Sequence, residues 1–273
     1  MIKFELPYNF NFDGKYFNLL DARKEYFQQI DCVYMPSFVN DKMINTRQDL
    51  TKYPKTSEEY YNHISEFQKR GINVNILMQR NTTIEDIEKY HNEYYINDFT
   101  INDNELALKV KEKYSNIKLR LSITAKATVN DINSKEMDVY DNIVLFFWYN
   151  RHLDVIKQLP KNHEYSLLCN TRCMYNCPYC EEHWFGNKIN EVTTKCSYQR
   201  LIQGHILNFP NVAYIRPIDL CYFEKYISVF KLQGRESSSK CIFADFDRYI
   251  MVKKTTIPLH GFNEDNILSN YNK

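Results

Sequence analysis

Ser57-Glu-Glu-Tyr-Tyr-Asn-His-Ile-Ser-Glu-Phe-Gln-Lys-Arg-Gly-Ile-Asn-Val-Asn-Ile-Leu-Met78 holds one full repeat of the pattern that decides the fold. Residues Ser57–Arg70 read as a helix, with Ser57 as N-cap and Gly71 as the C-terminal stop, and Asn73–Met78 as a short apolar strand. Helix followed by strand recurs along the chain. Thr83–Tyr90 and Asn104–Tyr114 are further helices, opened by a Thr or Asn cap and carrying apolar residues three or four apart, and His152–Leu159 is another before Pro160. Strands are expected at Asp31–Pro36, Asn73–Met78, Phe99–Ile101, Lys118–Ile123, Asn142–Phe147, Tyr165–Cys169, Val212–Arg216 and Ser228–Leu232. Most are apolar throughout, as strands covered on both faces are. About eight parallel strands alternating with helices predict an α/β fold, a TIM-like (β/α) barrel. A long cysteine-rich loop follows the sixth of these strands.

The bulk numbers agree with one globular domain over residues 1–273, with an insertion at 169–210. The 35 Lys and Arg balance 34 Asp and Glu, so no global field recruits nucleic acid or an anionic membrane. Hydrophobic content of 44% is enough to fill a large core. The start, Met1-Ile-Lys-Phe-Glu-Leu-Pro-Tyr-Asn-Phe-Asn-Phe12, shows no basic segment with a long apolar run behind it, and no stretch is long and apolar enough to cross a membrane. A cytoplasmic location is therefore expected. There eight cysteines point to metal rather than to disulfides.

Leu167-Leu-Cys-Asn-Thr-Arg-Cys-Met-Tyr-Asn-Cys-Pro-Tyr-Cys180 packs four thiols into twelve residues directly after an expected strand, and Cys196 and Cys221 follow. Thiolates two and three residues apart can turn toward one centre, and soft sulfur selects zinc or an iron–sulfur cluster. Structural zinc sites pair two short Cys-x2-Cys hooks; here only Cys177 and Cys180 make one, which favours iron–sulfur. His183 stands three residues past Cys180 and is a further candidate ligand. Cys32, inside an expected strand, reads as a core thiol.

Two family resemblances attach to these residues. Cys173-Met-Tyr-Asn-Cys-Pro-Tyr-Cys180 is similar to the Cys-x3-Cys-x-aromatic-Cys motif of radical SAM enzymes, in which three thiolates leave one iron open to S-adenosylmethionine. That motif sits after the first barrel strand in the family, whereas here six expected strands precede it. The second resemblance covers more of the chain. Phe67-Gln-Lys-Arg-Gly-Ile-Asn-Val-Asn-Ile76, Ile123-Thr-Ala-Lys-Ala127, Asn142-Ile-Val-Leu145 with Asn150-Arg151, and Asn170-Thr-Arg-Cys-Met-Tyr-Asn-Cys-Pro178 with His183 resemble segments of peptidase family U32, in its short branch. So do Arg216-Pro-Ile-Asp-Leu220 and Phe230-Lys-Leu-Gln-Gly-Arg235, in the family's order. This resemblance implies a barrel with a cysteine-bound [4Fe–4S] cluster, linked to oxygen-independent hydroxylation of RNA or quinone precursors. The ligand set it implies is Cys173, Cys177, Cys180 and Cys196, with His183 and Cys221 as alternatives. Cys180 stands where the family usually carries Arg, so the fourth ligand stays open.

Arg216, Asp219, Lys231 and Arg235 fall at the carboxyl ends of the last two expected strands, where barrel enzymes place substrate groups. They could clamp a carboxylate or phosphate, or they could close the barrel as internal ion pairs. Asn150-Arg151 could likewise hold a substrate group, or could be a helix start in which Arg151 is solvated. No Gly-x-Ser-x-Gly or His-Glu-x-x-His segment supports peptide hydrolysis. No basic stripe is evident for a standing RNA complex. Three functions are compatible: an iron–sulfur enzyme modifying RNA or a small aromatic molecule, a radical SAM enzyme with S-adenosylmethionine as cofactor, and a non-catalytic cluster-bearing subunit for a partner protein.

Overall fold

The computed structural model describes residues 2–10, 13–39, 42–43, 54–78, 81–171, 173, 177–180 and 213–254. Eight parallel strands close into a barrel: β1 (Lys3–Pro7), β2 (Ile30–Pro36), β5 (Val74–Leu77), β6 (Asp98–Ile101), β7 (Lys118–Leu121), β8 (Asn142–Leu145), β9 (Glu164–Leu168) and β10 (Val229–Lys231). Between β2 and β5 lies a two-stranded antiparallel hairpin, β3 (Phe38–Val39) and β4 (Lys42–Met43). Helices on the outside include α1 (Tyr16–Asp21), α2 (Ser57–Gln68), α3 (Ile84–Tyr94), α4 (Asn104–Lys113), α5 (Val129–Ile132), α6 (Leu153–Ile156), α7 (Leu220–Phe223) and α8 (Ser239–Lys254). Among the described residues no helix is long and apolar enough to cross a membrane.

The expected barrel is present, with one stave exchanged. Val212–Arg216 is not a barrel strand; the barrel takes Lys3–Pro7 instead, so β10 pairs with β9 on one side and β1 on the other. The cysteine-rich segment therefore follows the seventh barrel strand rather than the sixth. Helix starts also shift by one residue. Thr56, not Ser57, caps α2, because its hydroxyl accepts the Glu59 N–H, and Asp103, not Asn104, caps α4 through the Leu106 N–H. Thr83 caps α3 in a reciprocal capping box with Asp86. Gly71 does end the α2 turn, at a φ of 68° that a side chain would strain. The expected helix His152–Leu159 is only one turn, α6, preceded by a 3-10 turn over Phe147–Arg151.

A layer of buried polar side chains links the staves, and each of the eight contributes to it. Arg120 on β7, 1% exposed, donates from Nε to Asp98 Oδ1 at 2.7 Å, from one terminal nitrogen to Glu5 Oε1 at 2.8 Å, and from the other to Asp31 Oδ2 at 2.7 Å. Lys231 on β10 pairs with the second oxygen of Glu5. Ser166 on β9 donates to Glu5 and lies 3.0 Å from Asn142 Oδ1 on β8, while Asn75 on β5 links Asp98 to Thr100. Burial raises the Glu5 carboxyl, but Lys231 and Arg120 outweigh it and hold the group down at about 2.

That depressed value sets a pH window. Glu5 is ionised in the fold from about 2 upward and in the unfolded chain only above its ordinary value of 4.5. Its contribution is complete above pH 4.5 and is lost as pH falls from there to 2, a difference on the order of 3 kcal/mol. Urea denaturation at pH 5 and at pH 2 is expected to show the stability gap between wild type and Glu5→Gln shrinking by that amount. An unchanged gap would show that Glu5 does not report the network.

Candidate functional site

Leu168 ends β9, and the chain leaves it at the carboxyl end of the barrel. Ile215 N–H donates to the Cys169 carbonyl at 2.9 Å and Ala213 N–H to the Cys173 carbonyl at 2.8 Å, so 213–215 runs antiparallel to 169–173. The β-branched, apolar character of 212–216 marks this buried pairing rather than a barrel stave. On its other side Cys169 N–H donates to the Lys231 carbonyl at 3.0 Å. The Asn170 amide donates to Gln233 O and Asp245 and accepts from Gln233 N–H.

Cys173, Cys177 and Cys180 project from this region, each half-buried, with Cys173 and Cys180 packed against the core. Cys180 N–H closes a turn on the Cys177 carbonyl at 3.1 Å. Cys196 and His183 lie outside the described residues. The three thiols do not form a trio within 4.8 Å, the spacing for one shared ion; among the described residues only Asp31, Cys32 and Asp98 do. Arg120 already pairs with both of those carboxylates, which makes the trio an ionic junction rather than a cation site. Thiolates on a multi-iron cluster stand farther apart than ligands of one ion, since each is bonded to a different iron. A soft donor set, partly shielded from water by the core, fits such a cluster.

The other thiols are placed differently. Cys32 is fully buried, and burial pushes its thiol well up, as expected of a core residue. Cys169 is also fully buried and raised by burial, so it stays protonated. Cys221 is exposed at the start of α7, where its thiol donates to the Ile218 carbonyl.

The four candidate substrate residues divide between floor and rim. Arg216 makes a bidentate pair with buried Asp219 at 2.6 and 2.8 Å, yet its side chain is 40% exposed. Lys231 is turned inward to Glu5 and lies 3.7 Å from the centre of the Tyr34 ring; the Arg235 guanidinium stands 5.9 Å from the same ring. Tyr34 is anchored by its hydroxyl on the Leu232 carbonyl. Ion pairs are thus present at Arg216–Asp219 and at Lys231, whose partner Glu5 lies on a strand that the periodicity did not signal. Asn150 is not a surface helix start: it is fully buried and its amide nitrogen donates to Leu168 O and Ala213 O. Tyr34 and Tyr249 carried no sequence signal beyond apolar spacing.

A parallel eight-stranded α/β barrel with thiols at its carboxyl mouth is the class that fold and site define. No family model matches the chain. Its sequence is 29% identical over 134 aligned residues to an uncharacterized protease of Methanocaldococcus jannaschii, a match covering 43% of this chain and 39% of that relative. Its fold is similar to that of the U32 peptidase Mk0906, with a TM-score of 0.54 over 86% of this chain and 93% of the other at 13% identity. The structural likeness shows a shared barrel fold, and the sequence match spans less than half of either chain.

Proposed function

We propose that this barrel holds a [4Fe–4S] cluster on Cys173, Cys177, Cys180 and Cys196 and takes part in oxygen-independent hydroxylation or another modification of RNA or a small aromatic molecule. The observation that carries the reading is the placement of three half-buried thiols at the carboxyl mouth, the end where barrels of this kind do chemistry. When bound, the cluster supplies one-electron transfer. The chain's own residues then do the rest. Core packing shields one side of Cys173 and of Cys180 from water, and the exposed edge of Arg216 offers donors to an anionic group. Peptide hydrolysis finds less support. The sequence carries no Gly-x-Ser-x-Gly or His-Glu-x-x-His segment that would perform it.

The spacing Cys173-x3-Cys177-x2-Cys180 gives the radical SAM reading its own footing, and Cys196 separates the two. With four protein ligands, Cys196→Ser lowers the iron content and added S-adenosylmethionine leaves the visible spectrum unchanged. Unchanged iron in Cys196→Ser together with a spectral response to S-adenosylmethionine would overturn the assignment in favour of an open iron. Iron lost instead in Cys221→Ser or His183→Ala keeps the family and moves the ligand. A cluster that forms but turns over no RNA or aromatic substrate, while a partner co-purifies, would identify the non-catalytic subunit.

A further inference from the structure

The strands that frame the cysteines are held by two buried side chains from opposite sides. Asn150, on the turn after β8, directs its two amide hydrogens to Leu168 O at 2.8 Å and Ala213 O at 2.6 Å. Tyr249, on α8, places its hydroxyl 3.1 Å from Cys169 O and 2.7 Å from Ile215 O. Asn150 thus ties Leu168 O to Ala213 O with two hydrogens, and Tyr249 bridges Cys169 O and Ile215 O with its one hydroxyl hydrogen shared between them. Both side chains are essentially inaccessible, so water cannot take over these bonds without opening the core. Asn150 Oδ1 is buried and accepts no hydrogen bond. The residue is thus held through its donors alone, a role neither Asp nor an apolar residue can fill.

We propose that Asn150 and Tyr249 are positioning residues for the cysteine segment, fixing the Cys169–Cys173 backbone so that the Cys173 thiol meets the cluster already oriented. The proposal rests on the reading of Cys173 as a cluster ligand. α8 has a further anchor at its start, where Ser239 bonds Asp13, and another at Asp247, which pairs with Arg23 at 2.5 and 2.6 Å. Removing the Tyr249 hydroxyl consequently leaves the helix docked. The local effect is separable from loss of the fold.

The test uses the full chain with Asn150→Leu, which keeps the number and branching of side-chain heavy atoms, and Tyr249→Phe, which removes one oxygen. In metal-free protein, iodoacetamide labelling read by mass spectrometry is expected to run about tenfold faster at Cys173 in each variant, because loss of a buried hydrogen bond raises the population of the locally opened segment. Labelling at exposed Cys221 should not change, and Cys32 should stay protected, reporting an intact barrel. After anaerobic reconstitution with iron and sulfide, each variant should keep less than about half of the wild-type iron while Cys32 stays protected in an intact barrel. Wild-type labelling of Cys173 and wild-type iron in both variants would overturn the proposal. Should Asn150→Leu fail to fold, Tyr249→Phe decides alone. If wild-type protein takes up no iron, the cluster reading fails, and the labelling rates still decide whether the two residues hold the segment.

Discussion

Arg120→Met is expected to remove about 3–5 kcal/mol of stability, the loss typical when one partner of a buried ion pair is deleted. Three carboxylates converge on this one guanidinium from β1, β2 and β6, and in its absence Asp98 keeps only the Asn75 amide while Glu5 keeps Lys231 and Ser166. Neither leftover arrangement neutralises a second carboxylate a few ångströms away. A domain with a total stability of about 5–15 kcal/mol would be left marginal. Arg120→Lys should recover only part of the loss, since one ammonium cannot present donors to three acceptors in a planar fork. Urea denaturation followed by circular dichroism measures both. A midpoint for Arg120→Met equal to that of wild type would show that the network is not what holds the staves together.

The same network explains what could and could not be read from the sequence. Seven of the eight staves, β2, β5, β6, β7, β8, β9 and β10, were legible as short segments rich in apolar and β-branched or aromatic residues between the helices. Lys3-Phe-Glu-Leu-Pro7 was not, since Glu5 reads as a surface residue until its partners Lys231 and Arg120 are known, and both are remote in sequence. Ala213-Tyr-Ile215 carries the opposite signal: it is apolar and extended like a stave, yet its hydrogen bonds go to 169–173. Local pattern reports burial and extension, not which neighbour supplies the bonds. The thiols at the mouth were legible from spacing alone. Their supports were not, because Asn150 and Tyr249 act through backbone carbonyls, and any residue type can present a carbonyl.

Cys173→Ser is expected to abolish cluster binding. A serine hydroxyl is a hard, protonated ligand at neutral pH, where the thiolate it replaces is soft and anionic. The Cys173 carbonyl accepts from Ala213 N–H, which holds the backbone at this position. Iron per chain should fall from about four to near zero. Cys241→Ser, at an exposed position on α8, should keep the full content. Retention of wild-type iron by Cys173→Ser would remove this residue from the ligand set.

The most direct measurement is iron, acid-labile sulfide and zinc per chain in anaerobically prepared wild-type protein, with Cys173→Ser alongside. About four irons and four sulfides in brown wild-type protein, and almost none in the variant, are expected of a [4Fe–4S] cluster at the barrel mouth. Colourless protein with about one zinc per chain, lost in the variant, would place a structural zinc on these thiols and contradict the iron–sulfur reading.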